Sequence, residues 1–191
     1  MHAITLDDMA EAGALLEGHF RLSSGLHSTR YLQCAVYLAE PTRAEVAGRQ
    51  LAARLRTAAA QLVVSPALGG VIIGHEVARA LDVPFFFTER AEGAMALRRG
   101  FRIEEGTRVL VVEDVVTTGG STREVMDVVQ RHGGTVVGVA SMVNRSGQDN
   151  PFSPLPYTAL LTLDIPNYPP ESCPLCAAGV PVIKPGSRPG A

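Results

Sequence analysis

The chain has 191 residues, 46% hydrophobic and 19% charged, which suits one domain with a sizeable core and excludes a disordered or collagen-like chain. A net charge of −2 argues against a general nucleic-acid binder, and no apolar run approaches the roughly eighteen residues of a membrane helix. Three cysteines and an acidic start at Asp7 and Asp8 argue against an exported disulfide scaffold, so a cytoplasmic protein is expected.

In chain order, residues 1–35 open with an amphipathic segment and continue as a polar Ser/Gly stretch. Residues 42–56 read as a helix with Val46, Leu51 and Leu55 on one side, followed by a short β-branched strand at 62–64. A second helix is predicted over 71–81, with Val77, Ala78 and Leu81, then strands at 83–87 and 109–112. The clearest helix is 121–132, with Val125, Val128 and Val129 at helical spacing. The pair Ser121 and Glu124 has capping-box spacing there, and Gly133 and Gly134 supply the stop. A fourth strand follows at 136–143. Residues 150–191 hold most of the thirteen prolines and read as an irregular tail wrapped on the core. Strands alternating with helices predict an α/β chain with a parallel sheet covered on both faces. Ligands of such sheets lie beyond the carboxyl ends of the strands.

One such end stands out. The strand at 109–112 runs into two adjacent carboxylates, Glu113 and Asp114, then Val115, Val116, Thr117, Thr118, Gly119, Gly120 and Ser121. A loop of hydroxyls and glycines entering a helix can aim backbone N–H groups at an anion. No Lys follows the glycines, as a Walker loop requires, and their spacing is not that of a dinucleotide fingerprint. A ribose 5-phosphate meets both demands, its hydroxyls on the acids and its phosphate on the loop. Sixteen of the seventeen basic residues are arginines and Lys184 is the only lysine, a choice that suits phosphate and carboxylate recognition and also follows from genome composition.

The segment from Glu113 to Ser121 resembles the phosphoribosyl pyrophosphate (PRPP) signature of type I phosphoribosyltransferases. Further motifs are Gly18-His-Phe-Arg-Leu-Ser-Ser-Gly25, Leu97-Arg-Arg-Gly-Phe101, Asn144-Arg145, Cys173-Pro-Leu-Cys176 and Lys184-Pro-Gly-Ser-Arg188. Together they resemble the orotate phosphoribosyltransferases over nearly the whole chain. The resemblance implies a single domain over 1–191, with about 1–35 and 150–191 forming a small hood and a tail. It implies that Glu113 and Asp114 hold the ribose hydroxyls, Asp114 also stabilising the oxocarbenium-like centre. Thr117, Thr118, Gly119, Gly120 and Ser121 would hold the 5-phosphate, with Val115 and Val116 also in the PRPP site and Leu68 and Gly69 at the diphosphate. Orotate would meet Thr117, Tyr31 and the guanidinium of Arg145. Mg²⁺ would be held mainly through the substrate, and the enzyme would be a homodimer with active sites near the subunit interface.

The sequence departs from that pattern. Lysines of better-known relatives correspond here to Ser23, Gly69 and residues 91–96, none of them basic. Arg90, Arg98 and Arg99 are the arginines left to neutralise the departing pyrophosphate. Within the class, a purine-base salvage transferase is the alternative reading, and Arg145 favours orotate over it. A PRPP-sensing regulator that binds RNA is the reading from another class, and the weak negative charge speaks against it.

Cys173 and Cys176 have the spacing of a zinc knuckle or a redox pair. A closed zinc site wants four ligands, and only Cys34 and a distant histidine remain in view, so a packed, reduced pair is expected, with a structural metal site at Cys173 and Cys176 or a reversible disulfide as the alternatives. His19, His27 and His75 read as structural, each without a partner at metal spacing.

Overall fold

The long apolar runs are strands because they are buried on both faces. The computed structural model describes residues 2–22 and 25–184. In chain order the elements are α1 (Leu6–Glu11), β1 (Leu15–Arg21), β2 (His27–Leu32), α2 (Cys34–Leu38), α3 (Pro41–Leu55), β3 (Leu62–Pro66), α4 (Gly69–Leu81), β4 (Phe85–Ala91) and β5 (Ala94–Leu97). There follow β6 (Arg108–Val116), α5 (Gly120–Arg131), β7 (Thr135–Asn144), β8 (Tyr157–Thr162), β9 (Asn167–Tyr168) and α6 (Pro174–Ala177). The main sheet has the order β5-β4-β3-β6-β7-β8, parallel except for the edge hairpin of β4 with β5.

The period of two along β6 sorts its residues between two cores. Leu110 and Val112 join Val63, Ala140 and Met142 on the face where α3 supplies Leu51 and Leu55 and α4 supplies Ile73 and Val77. Val109 and Val111 join Leu62, Val64 and Val139 on the other face, under Val125 and Val129 of α5. The predicted strands and helices are therefore all present, each extended or shifted by a few residues.

The connections place the site. From β3 the chain crosses through α4 to β4 on one side, and from β6 through α5 to β7 on the other. The carboxyl ends of β3 and β6 thus flank the point where strand order reverses, where such sheets open a crevice.

The tail is more regular than its prolines suggest. Residues 157–162 form β8, paired in parallel with β7, and β9 then pairs antiparallel with β2. With β1 and β2 it makes a separate three-stranded sheet, the hood. The chain returns once more, so that Ile183 bridges Phe20 and completes the other edge of β1. Prolines 156, 166, 169 and 170 lie at the boundaries of these strands, where no ladder N–H is needed. Among the described residues, no helix is long and apolar enough to cross a membrane.

Candidate active site

Three neighbouring strands, β3, β6 and β7, deliver the predicted residues to one end of the sheet. At the tip of β6 the Glu113 side chain is buried, while Asp114 beside it is half-exposed. No arginine neutralises the pair among the described residues. Glu113 instead accepts from the Ser121 hydroxyl at 3.0 Å and from the Asp114 backbone N–H at 3.2 Å. Burial, reinforced by the adjacent Asp114 carboxylate, pushes the Glu113 carboxyl up to about 8.

The Ser121 bond corrects the capping-box expectation. The helix begins one residue earlier, with Gly119 as its N-cap in the left-handed region at φ +74° and no side-chain cap. Ser121 turns inward to Glu113, and Glu124 turns outward to Arg90. A side chain at Gly119 would also collide with Phe152, at 3.0 Å. The N-terminus of α5 is thereby left open. Among the described residues no acceptor engages the N–H groups of Thr117, Thr118 or Gly119, and both threonines are exposed. Free N–H groups at the positive end of a twelve-residue helix form an anion cradle.

The turn after β3 faces this cradle. A Cβ at Gly69 would lie 2.7 Å from both carboxylate oxygens of Asp114, so only glycine lets the two loops meet. Leu68, next to it, is 88% exposed and joined to Ala67 through a cis peptide. The Ala67 N–H donates to the Thr88 carbonyl at 2.7 Å, fixing the turn to β4. Thr88 has no place in the sequence reading, and Cys34 enters it only as a zinc ligand. That buried thiol lies 4.0 Å from the Asp114 carbonyl and is pushed upward by burial and by the two acids.

Arg145 follows β7, and its backbone N–H donates to the Val116 carbonyl at 2.7 Å, which sets it against the start of the cradle. Its Nε is buried with no hydrogen-bond partner, and no carboxylate pairs with it among the described residues. Desolvation lowers its affinity for the proton, a cost that a ligand anion would remove.

The remaining predicted residues lie further out. Val116 is buried and Val115 packs on the core, so both face the site only through backbone. Tyr31 lies on β2 of the hood, its ring 5.8 Å from that of Phe20, and Leu32 is buried in the core. Arg90 forks onto Glu124 at 2.9 Å twice and donates to the Gly93 carbonyl at 2.7 Å. Arg98 and Arg99 both pair with Glu89. Residues 91–94 are a tight hairpin turn between β4 and β5, with Glu92 and Gly93 at positive φ. Ser23 and the stretch 185–188 lie outside the described residues.

An acid pair and an open helix N-terminus at the switch point of a parallel sheet define a type I phosphoribosyltransferase. Residues 37–157 match the family model of the phosphoribosyl transferase domain. The chain is 59% identical over 180 residues to an orotate phosphoribosyltransferase of Carboxydothermus hydrogenoformans, covering 93% of this chain and 94% of that one. It is 50% identical to the orotate phosphoribosyltransferase of Thermotoga maritima, over 94% and 96% of the two chains. Among solved structures, that of the orotate phosphoribosyltransferase from Aeropyrum pernix superposes with a TM-score of 0.69 at 26% identity, covering 84% of this chain and 94% of that one. The chain belongs to the orotate phosphoribosyltransferase family.

Proposed function

We infer that the protein transfers the 5-phosphoribosyl group of PRPP to orotate, giving orotidine 5′-monophosphate and pyrophosphate, a step of pyrimidine synthesis. The observation that carries the choice of base is Arg145. Its unpartnered, buried Nε needs an acceptor, and a planar carboxylate on the incoming ring supplies one. A purine would leave it unsatisfied.

In this reading the N–H groups of Thr117, Thr118 and Gly119 hold the 5-phosphate, and Glu113 and Asp114 accept from the ribose hydroxyls. Hydroxyl donors favour the charged carboxylate, so PRPP binding draws the proton from Glu113. Leu68 and Gly69 offer backbone to the diphosphate. Departure of pyrophosphate leaves oxocarbenium character at the anomeric carbon, which Asp114 stabilises, and the orotate ring nitrogen attacks the opposite face. The oxygen donors of the acid pair suit a hard cation, and Mg²⁺ carried on the diphosphate would neutralise the leaving charge. Arg90 serves the pyrophosphate by exchanging Glu124 for it. Tyr31 covers the base from the hood. The enzyme acts in the cytoplasm as a homodimer whose sites lie near the interface.

The test is pyrophosphate release from PRPP with orotate, uracil, adenine or hypoxanthine, for the wild type and for Arg145→Ala. Release is expected with orotate alone. The variant should raise KM for orotate by about 10- to 150-fold, the worth of a hydrogen bond to a charged group, and leave the affinity for PRPP unchanged. Release with a purine, or an unchanged orotate KM, would overturn the assignment.

A further inference from the structure

Away from the active site, the hood and the tail bring four metal-ligating side chains to one point. His19 is on β1, His27 on β2, and Cys173 and Cys176 flank the start of α6. Their ligand atoms all lie within 4.8 Å of one another, and His19, His27 and Cys173 are buried. Cys34 is elsewhere, under Asp114. The partners that sequence spacing could not supply are thus the two histidines, read before as structural and separate.

We propose that His19, His27, Cys173 and Cys176 bind one structural zinc ion that clasps the C-terminal segment to the hood. The distances support it. With Zn–S bonds of about 2.3 Å and Zn–N bonds of about 2.05 Å, a regular tetrahedron sets S···N at about 3.5 Å and N···N at about 3.3 Å. The Cys173 Sγ to His19 Nε2 distance is 3.5 Å, Cys176 Sγ to His19 Nε2 is 3.7 Å, and Cys176 Sγ to His27 Nδ1 is 3.3 Å. The two imidazole nitrogens are 2.8 Å apart, the span of an N–H···N bond, so the ion has to widen that pair by about half an ångström.

The tautomer is already set. His19 Nδ1 lies 2.7 Å from the Val180 carbonyl, which can only accept, so Nδ1 carries the proton and the Nε2 lone pair faces the cluster. A metal-bound histidine whose other nitrogen donates to a backbone carbonyl is the usual outer-shell arrangement. Charge also balances. Binding releases both thiol protons, and two thiolates with two neutral imidazoles cancel the 2+ of the ion, which suits a mostly buried position. Soft sulfur and borderline nitrogen select zinc over the hard cation that attends PRPP. Four protein ligands leave no open position, so the site is structural.

Metal content of the whole protein, purified without chelator, is expected to be one zinc per chain, and below a tenth of that in Cys173→Ser/Cys176→Ser. Anaerobic replacement by Co²⁺ in the wild type should give the visible bands of tetrahedral cobalt and a thiolate charge-transfer band in the near ultraviolet. That readout holds even where the double variant fails to fold. Chelation should lower the melting temperature and speed amide exchange in β1 and β2. A wild type with neither zinc nor tetrahedral cobalt bands, with iron in stoichiometric amount, or with a Cys173–Cys176 disulfide that persists in its purified state, would overturn the proposal.

Discussion

Glu113 is the residue on which the chemistry and the stability of this chain conflict. Its carboxyl is buried at a strand tip, with one hydroxyl and one N–H as donors and a second acid beside it. A carboxyl raised from 4.5 to about 8 binds its proton more tightly in the folded chain than in the unfolded one. Stability from this group is therefore full below about 4.5 and is lost as pH rises towards 8, by at most about 1.4 kcal/mol per pH unit. Glu113→Gln keeps the shape and cannot ionise. In urea unfolding at pH 5, 6.5 and 8, the variant should match the wild type at pH 5 and exceed it at pH 8. Parallel stability curves would show that the carboxyl is not held protonated. The strain has a use. In the proposed reading the ribose hydroxyls donate to Glu113 and favour its charged form, so PRPP binding is coupled to release of that proton to solvent.

At the scale of the element, the start of α5 shows what a motif can and cannot specify. Serine followed three residues later by glutamate is the signature of a capping box, yet here both side chains are diverted, one to Glu113 and the other to Arg90. The two arrangements differ in their response to pH. A cap lost in Ser121→Ala costs about 1 kcal/mol at any pH. A donor to Glu113 stabilises mainly the charged carboxylate, so the Ser121→Ala penalty should be larger at pH 8 than at pH 5. Unfolding free energies at the two pH values decide between them. The central strands were legible because burial on both faces demands unbroken apolar runs, as in the Val-Leu-Val-Val of β6. The acid pair and the glycine loop were legible as a candidate site because they stand together at a strand end, whereas Arg145 entered only through the family resemblance. β8 was not legible, since an edge strand that is only half-buried among prolines carries no such run. β1 and β2 bury one face of a small sheet and mix Glu, His and Arg into it. Nor could spacing reveal the meeting of His19 with Cys173, residues 154 positions apart that only the returning tail unites.

For the molecule as a whole, the same tail decides how the hood is held. The β1–β2 hairpin by itself is a two-stranded ribbon, which is marginal in water. It gains β9 along β2 and residue Ile183 along β1, whose N–H donates to the His19 carbonyl at 2.7 Å and whose carbonyl accepts from the Arg21 N–H at 2.8 Å. The main sheet needs none of this, because β8, its last strand, ends at Thr162, and Leu163 and Ile165 have already joined the core. Deleting residues 166–191 should therefore separate the two sheets in stability. Amides of β3, β6 and β7 should keep their slow hydrogen exchange, while those of β1 and β2 approach the rates of a free chain. In the proposed reading the hood places Tyr31 over the base, so the truncated chain should still bind PRPP on the α5 cradle but lose turnover with orotate. Exchange followed by mass spectrometry tests the first claim and calorimetry with PRPP the second. Unchanged protection of β1 and β2 would mean that α1 and the core under Leu32 hold the hood without its outer strands. The hood would then be an extension of the main core, with the tail only an addition to its edge.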